Sequence, residues 1–321
     1  MSEQQSTQQI ILDTAQRIFS DHCDKALLDK AEQGEFAQDL WEQIAQNGFN
    51  QLGADDSGTT AQDMFAFILQ CGQFAVPLPL AETLLVNRWL GAGEGLYSIG
   101  RIAGDEIVAV PWGRKADKIV GVQQHSLEVV VIDNPEAVAE DTNMAGEPRD
   151  RLLIPADATT ITLDIDPFAQ LAVSRINLVA GSLLRMLELG IQYATERTQF
   201  GRAISKFQAI QHSLAVVAAE AAAARRAADA AVDAIGTERF LFEVAASKAR
   251  VGEAATLVAE QIHQVHGAMG FTHEHQLHHY SRRAWAWRDE YGNEFEWQVL
   301  LGTQLASLGA DQVWPFIATR S

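Results

Sequence analysis

The run Leu214–Ile235, LAVVAAEAAAARRAADAAVDAI, constrains the fold more than any other stretch of this chain. Alanine favours the helix but has almost no side chain with which to fill a gap. A helix this rich in alanine must lie close against other helices. Long helical periods stand on both sides of it, and the three segments, roughly 168–196, 205–234 and 237–267, read as a helical bundle. Ser205 is a candidate N-cap for the middle segment.

Upstream, the pattern changes twice. Residues 1–92 read as helices on period and caps, with Thr7 a candidate cap for the first of them. FAQDLWEQIAQNGF places Phe36, Leu40, Trp41, Ile44 and Ala45 on one stripe and ends at Gly48, and AQDMFAFILQCGQFA is apolar nearly all round, as suits a helix inside a bundle. Residues 93–166 instead carry short β-branched runs, EIVAVPW, KIVGV, LEVVVI, RLLIP and TTITL, divided by turn-forming residues such as Gly104-Asp105 and Gly146-Glu147-Pro148. The expectation is an α+β, mainly α protein. It has an N-terminal helical domain (1–92), a reduced β domain (93–166) and a C-terminal helical bundle (167–321).

A net charge of −18 disfavours nucleic acid and anionic membrane surfaces as partners. No apolar stretch approaches the ~18 residues of a membrane span, and the first residues carry no basic-then-apolar pattern. Cys23 and Cys71 are too few for a disulfide framework and suit packing in a reducing compartment. A cytoplasmic protein is expected.

Two segments bear on chemistry. In ERTQFGRAISKFQAIQHSLA (196–215), Arg197 and Arg202 flank a tight turn just before a helix start. Backbone donors beside guanidinium groups suit an anionic ligand; a solvated turn whose arginines meet carboxylates suits the same residues. In QVHGAMGFTHEHQLHHY (264–280), Gly267 and Gly270 break a helix and leave backbone open to close approach; a plain C-cap and loop would look alike. Six of the nine histidines lie between His263 and His279. Glu260 and His263 have the Glu-x-x-His spacing of di-iron bundles, but no second such pair exists, and HEH at 273–275 is not HExxH. The histidines are read as polar loop and interface residues, with no metal site.

These two segments, in this order, resemble the C-terminal domain of acyl-CoA dehydrogenases, whose pattern is an ERxxFG turn, a helix beginning near FQ, and QxxGGxGF. LWEQIAQNGFNQLG resembles the family's early helix, and the helix–β–helix order also agrees. The resemblance implies FAD as cofactor, an acyl-CoA substrate and electron-transfer flavoprotein as electron acceptor. It implies Arg197 at the FAD pyrophosphate of a neighbouring subunit with Phe200 beside the cofactor, and Gln208, Gln264, Val265, Gly267 and Ala268 at its adenosine end.

The family's TEPxAGSD-like flavin loop has no counterpart here; the nearest stretch is VPWGRKADKIVGV, where Trp112 is read as core. A chain with one half of the FAD site and not the other resembles the short chain of α2β2 bacterial acyl-CoA dehydrogenases, some of which act on steroid side chains. A full-length dehydrogenase subunit is then the implied partner, and a homo-oligomer is the alternative. The family's glutamate base lies ten residues beyond a tyrosine, which from Tyr280 gives Glu290, with Asp289 the alternative if the loop slips by one. A minority position falls on Ser174, before Arg175, and cannot serve as a base. Three readings stand: a catalytic acyl-CoA dehydrogenase subunit, a non-catalytic subunit completing a partner's FAD site, and a bundle metalloprotein.

Overall fold

A computed structural model describes residues 3–136 and 138–319, with the side chains of residues 3–6 left out of the description. The fold is α+β and mainly α, as expected. Five helices come first: α1 (Glu3–His22), α2 (Lys25–Glu32), α3 (Gln38–Gln46), α4 (Ala61–Gln73) and α5 (Leu80–Leu90). Helix α1 begins upstream of Thr7, so that residue sits inside the helix rather than at its cap. Helix α4 starts with a capping box in which Thr60 and Asp63 satisfy each other's backbone N–H, and it is buried on nearly every side.

A six-stranded sheet follows: β1 (Tyr97–Ala103), β2 (Glu106–Pro111), β3 (Lys118–Val122), β4 (Glu128–Asp133), β5 (Arg149–Leu153) and β6 (Thr159–Thr162). Its order is β5-β2-β1-β3-β4-β6, antiparallel except for the β1–β3 pair, where Tyr97 meets Lys118 in register. The five β-branched runs all become strands. β1 is the strand the sequence conceals, because Gly100 and Arg101 interrupt its alternation. Alternation then divides the sheet between two cores: Ile107, Ile119 and Ile132 pack on one face, while Val120, Val122, Val129 and Val131 join the main core on the other.

The C-terminal part comprises α6 (Pro167–Glu196), a hairpin of β7 (Thr198–Gln199) and β8 (Arg202–Ala203), then α7 (Gln208–Asp233), α8 (Phe240–His266), α9 (Leu277–Asp289), α10 (Glu294–Leu308) and α11 (Ala310–Thr319). Asp166 caps α6 by accepting from Ala169 N, and Pro167 occupies the first turn, where its missing N–H costs nothing. Ser205 falls in a short 3-10 turn, and Phe207 is the residue preceding α7; the turn spends the residues that a serine cap would need. Ala221, Ala224, Ala228 and Ala231 form the buried stripe of α7, which brings it close against α6 and α8.

Helix α6 is the axis of the molecule, packed by α4, α7, α8 and α9. Its crossing with α4 is unusually close. A Cβ added at Gly181 would stand 1.9 Å from the Leu69 carbonyl oxygen, and one at Gly72 would stand 2.1 Å from that of Leu178. Glycine on both helices permits that approach.

Candidate functional site

Two regions gather the residues singled out by the sequence. The first is a groove of about 470 Å³ at one end of the bundle, where the end of α6, the β7–β8 hairpin, the start of α7 and the end of α8 meet. Arg197, Phe200, Gln264, Val265, Gly267 and Ala268 all line it. Gln208, the first residue of α7, is not among the lining residues, although its neighbour Phe207 is.

Each element delivers its side chain for a local reason. Helix α6 ends at Arg197, whose N–H donates to Tyr193 O at 2.9 Å, and the hairpin then carries Phe200 at a positive φ of 52° and 91% exposed. Gly267 stops α8 at φ 58° and ψ −140°, a conformation open essentially only to glycine, and a Cβ there would meet nothing within 4 Å. The Arg202 guanidinium lies 4.2 Å from the centre of the Phe207 ring.

His266 forms the inner wall. Its ring stacks on Tyr193 with centroids 4.5 Å apart, Nδ1 pairs with Ile262 O at 2.8 Å, and the buried Nε2 has no hydrogen-bond partner. Burial pushes the imidazole down to about 4, against the partial support of the Ile262 carbonyl, so the ring is neutral at pH 7. A guanidinium, exposed aromatic surface, a glycine-opened backbone turn and an unsatisfied buried ring nitrogen together suit the adenosine and phosphate part of a dinucleotide such as FAD.

The second region is the junction of α5, the sheet and α9. Glu290, at the end of α9, accepts from Arg149 Nε at 2.8 Å and from Arg175 Nε at 2.5 Å. Burial alone would raise this carboxyl, but the two guanidiniums outweigh it and hold it at about 2. Arg175 also donates to Glu82 Oε1 at 2.5 Å, and Arg149 to Glu147 Oε2 at 3.1 Å. Glu147 further accepts from Trp287 Nε1 at 3.0 Å and pairs with Arg283, which reaches Glu32 at 2.7 Å. A chain of buried ion pairs thus joins α2, α5, the sheet, α6 and α9.

Both base candidates, Glu290 and Asp289, border a cleft of about 510 Å³ between sheet and helices, which Arg101, Val108, Asn143 and Phe168 also line. Asp289 is exposed and pairs with its neighbour Arg288 at 3.2 Å. Ser174 is buried and donates to Leu171 O. Trp112 is core: it is 3% exposed, donates from Nε1 to Pro77 O at 2.9 Å and meets Phe36 edge-on. The sequence alone does not single out Arg149, Glu82 or Glu147, and Arg175 stands out in it only as the neighbour of Ser174. The available signal was a lone charge inside an apolar helical run, as in PLPLAETLL and LAVSRINL. Glu260 is exposed while His263 turns inward to Ser281 Oγ at 2.9 Å, so these two do not form a ligand pair.

Comparison with known proteins agrees with this architecture. Residues 168–293 match the family described as acyl-CoA dehydrogenase, C-terminal domain. The acyl-CoA dehydrogenase IpdE2 of Mycolicibacterium smegmatis is 25% identical over 308 residues, covering 88% of this chain and 93% of the relative. Among solved structures, the ChsE4-ChsE5 complex from Mycobacterium tuberculosis superposes with a TM-score of 0.79 at 19% identity, covering 94% of this chain and 98% of that one. The Tcur3481-Tcur3483 steroid ACAD gives a TM-score of 0.80 at 18% identity, covering 95% of this chain and 99% of that one. The C-terminal match is to acyl-CoA dehydrogenases, oxidoreductases by class. Residues 168–293 are thus an acyl-CoA dehydrogenase C-terminal domain, and the chain as a whole shares the fold of the solved dehydrogenases. Among the described residues, no helix is long and apolar enough to cross a membrane.

Proposed function

We propose that this chain is the short subunit of a cytoplasmic, FAD-dependent acyl-CoA dehydrogenase complex, on the strength of the groove that gathers Arg197, Phe200 and the Gln264–Ala268 turn. That gathering is the observation that carries the reading. Phe200 stands 91% exposed at the groove, where a second chain could cover it. Arg197 would bind the pyrophosphate, Phe200 would cover the cofactor, and the backbone at Gly267 would admit its adenosine end. FAD supplies the hydride acceptor for α,β-desaturation of the thioester.

The clamp on Glu290 favours the form of this reading in which the full-length partner brings the base. Abstraction of an α-proton works best with a carboxyl raised toward the operating pH. Glu290 is held at about 2 with both oxygens occupied by arginines, which suits it to holding the junction together. The reduced sheet and the open cleft of about 510 Å³ support a bulky acyl group, such as a steroid side chain, as substrate. Electron-transfer flavoprotein is the proposed acceptor.

Co-expression tests the assignment. The chain alone should purify colourless, and its complex with a full-length dehydrogenase subunit should be yellow and oxidise acyl-CoA. A single chain that retains stoichiometric FAD would overturn it.

A further inference from the structure

The histidine-rich stretch meets α2 at a point that takes no part in the groove. His279 is fully buried on α9, with Nδ1 2.7 Å from Glu32 Oε1 and Nε2 3.1 Å from Asp29 Oδ1. If the neutral ring donates Nδ1–H to Glu32, Nε2 carries a lone pair and faces a carboxylate oxygen. Nε2 makes no hydrogen bond. His278 stands beside it, ring centroids 4.0 Å apart, and its Nδ1 pairs with His275 O at 2.7 Å, which leaves Nε2 as its lone-pair atom. One ligand atom each from Asp29, His278 and His279 lies within 4.8 Å of the others.

We propose that Asp29, His278 and His279 bind a divalent cation of the zinc class, pinning α2 to α9. The donor set of two imidazoles and one carboxylate is that of zinc, whose bonds of about 2.0–2.2 Å put neighbouring ligand atoms a little over 3 Å apart. The 3.1 Å between His279 Nε2 and Asp29 Oδ1 meets that spacing. The outer contacts also match a metal site, since each histidine gives its other nitrogen to a carboxylate or a backbone carbonyl, fixing tautomer and ring plane. Lys25 takes the second oxygen of Asp29 at 2.5 Å, and Arg282 and Arg283 neutralise Glu32, so Oδ1 is the oxygen left for the ion. Asp29 is 39% exposed at its side chain, which leaves an entry path and a fourth position for water. The competing arrangement is an imidazolium at His279 shared by Glu32 and Asp29, and it gives the second imidazole no role.

The full-length chain, stripped with EDTA and re-equilibrated with zinc sulfate, tests the site by metal analysis after gel filtration and by the visible absorption of the cobalt-substituted protein. About one zinc per chain is expected, with a raised thermal midpoint, since an ion that binds only the folded state stabilises it. His278→Ala and Asp29→Asn should each weaken zinc binding more than about tenfold. Asp29 is partly exposed, so Asp29→Asn reads the site even if His278→Ala folds poorly. Wild-type protein that retains no zinc overturns the proposal. So does zinc retained equally by Asp29→Asn and wild type, which would assign it to other surface histidines.

Discussion

Arg175 donates to Glu290 and Glu82 from one buried guanidinium, at 2.5 Å to each, so a single cation on α6 ties α5 to the end of α9. The pairing makes Glu290 a member of the core rather than a free carboxylate at the cleft. Glu290→Gln leaves Arg149 and Arg175 buried without the anion between them. Breaking a buried pair in this way costs about 3–5 kcal/mol. Urea unfolding should show that loss for Glu290→Gln, whereas Asp289→Asn, at an exposed position, should stay within about 0.5 kcal/mol of wild type. Equal stabilities for the two variants would contradict the clamp.

Arg197 tests the groove without touching the core. Its side chain is exposed, so Arg197→Ala should leave the unfolding midpoint unchanged. In the complex with a full-length subunit, losing a charge-assisted phosphate contact of about 1.5–3 kcal/mol should raise the FAD dissociation constant tenfold or more. Flavin fluorescence on dilution measures it, and unchanged retention removes Arg197 from the site.

Acid should weaken the fold in two stages. His266 is pushed by burial to about 4, while an unfolded histidine titrates near 6.5, so the unfolded state binds more protons between those values. Stability is lost as pH falls through that window. Burial would raise Glu290 and Glu32, but arginine partners, and for Glu32 also the His279 hydrogen bond, hold both at about 2. Against an unfolded value of about 4.3, their contribution is present above that pH and is lost on the way down to 2. The urea midpoint should therefore fall between pH 6.5 and 4, and again below pH 4.3. His266→Gln should shrink the first stage, to which His278, also pushed by burial to about 4, contributes as well, and Glu290→Gln should shrink the second; a midpoint constant from pH 7 to 3 would refute the assignment.

The α4–α6 crossing gives a purely steric prediction. Gly181→Ala places a methyl group 1.9 Å from the Leu69 carbonyl oxygen, and neither helix backbone can move far inside a packed core. Overpacking of this kind costs about 1–3 kcal/mol. Gly302→Ala, where a Cβ meets nothing within 4 Å, is the control and should be neutral or slightly stabilising through helix propensity. Chemical denaturation of the pair distinguishes steric crowding from a general intolerance of alanine.

What the sequence determined by itself was local or periodic. The alanine stripe of α7, the apolar-periodic runs of the first helices and five β-branched strands follow from spacing, because helix and strand periods and turn chemistry are properties of neighbouring residues. Arg197, Phe200 and the Gln264–Ala268 turn were singled out by family resemblance rather than by spacing, and they line one groove because both segments stand at the ends of long helices at one end of the bundle. Strand β1 was hidden because Gly100 and Arg101 break its alternation, and Ser205 lost its capping role to a 3-10 turn that spacing does not reveal. Only the tertiary structure decided what Glu290 is. Its partners, Arg149 and Arg175, lie more than a hundred positions away in sequence, and Glu82 joins it only through Arg175. The same holds for Asp29 and His279, which the packing of α2 against α9 brings within 3.1 Å. Charge pairing over such separations is set by which helices share a core, and a sequence pattern carries no term for that.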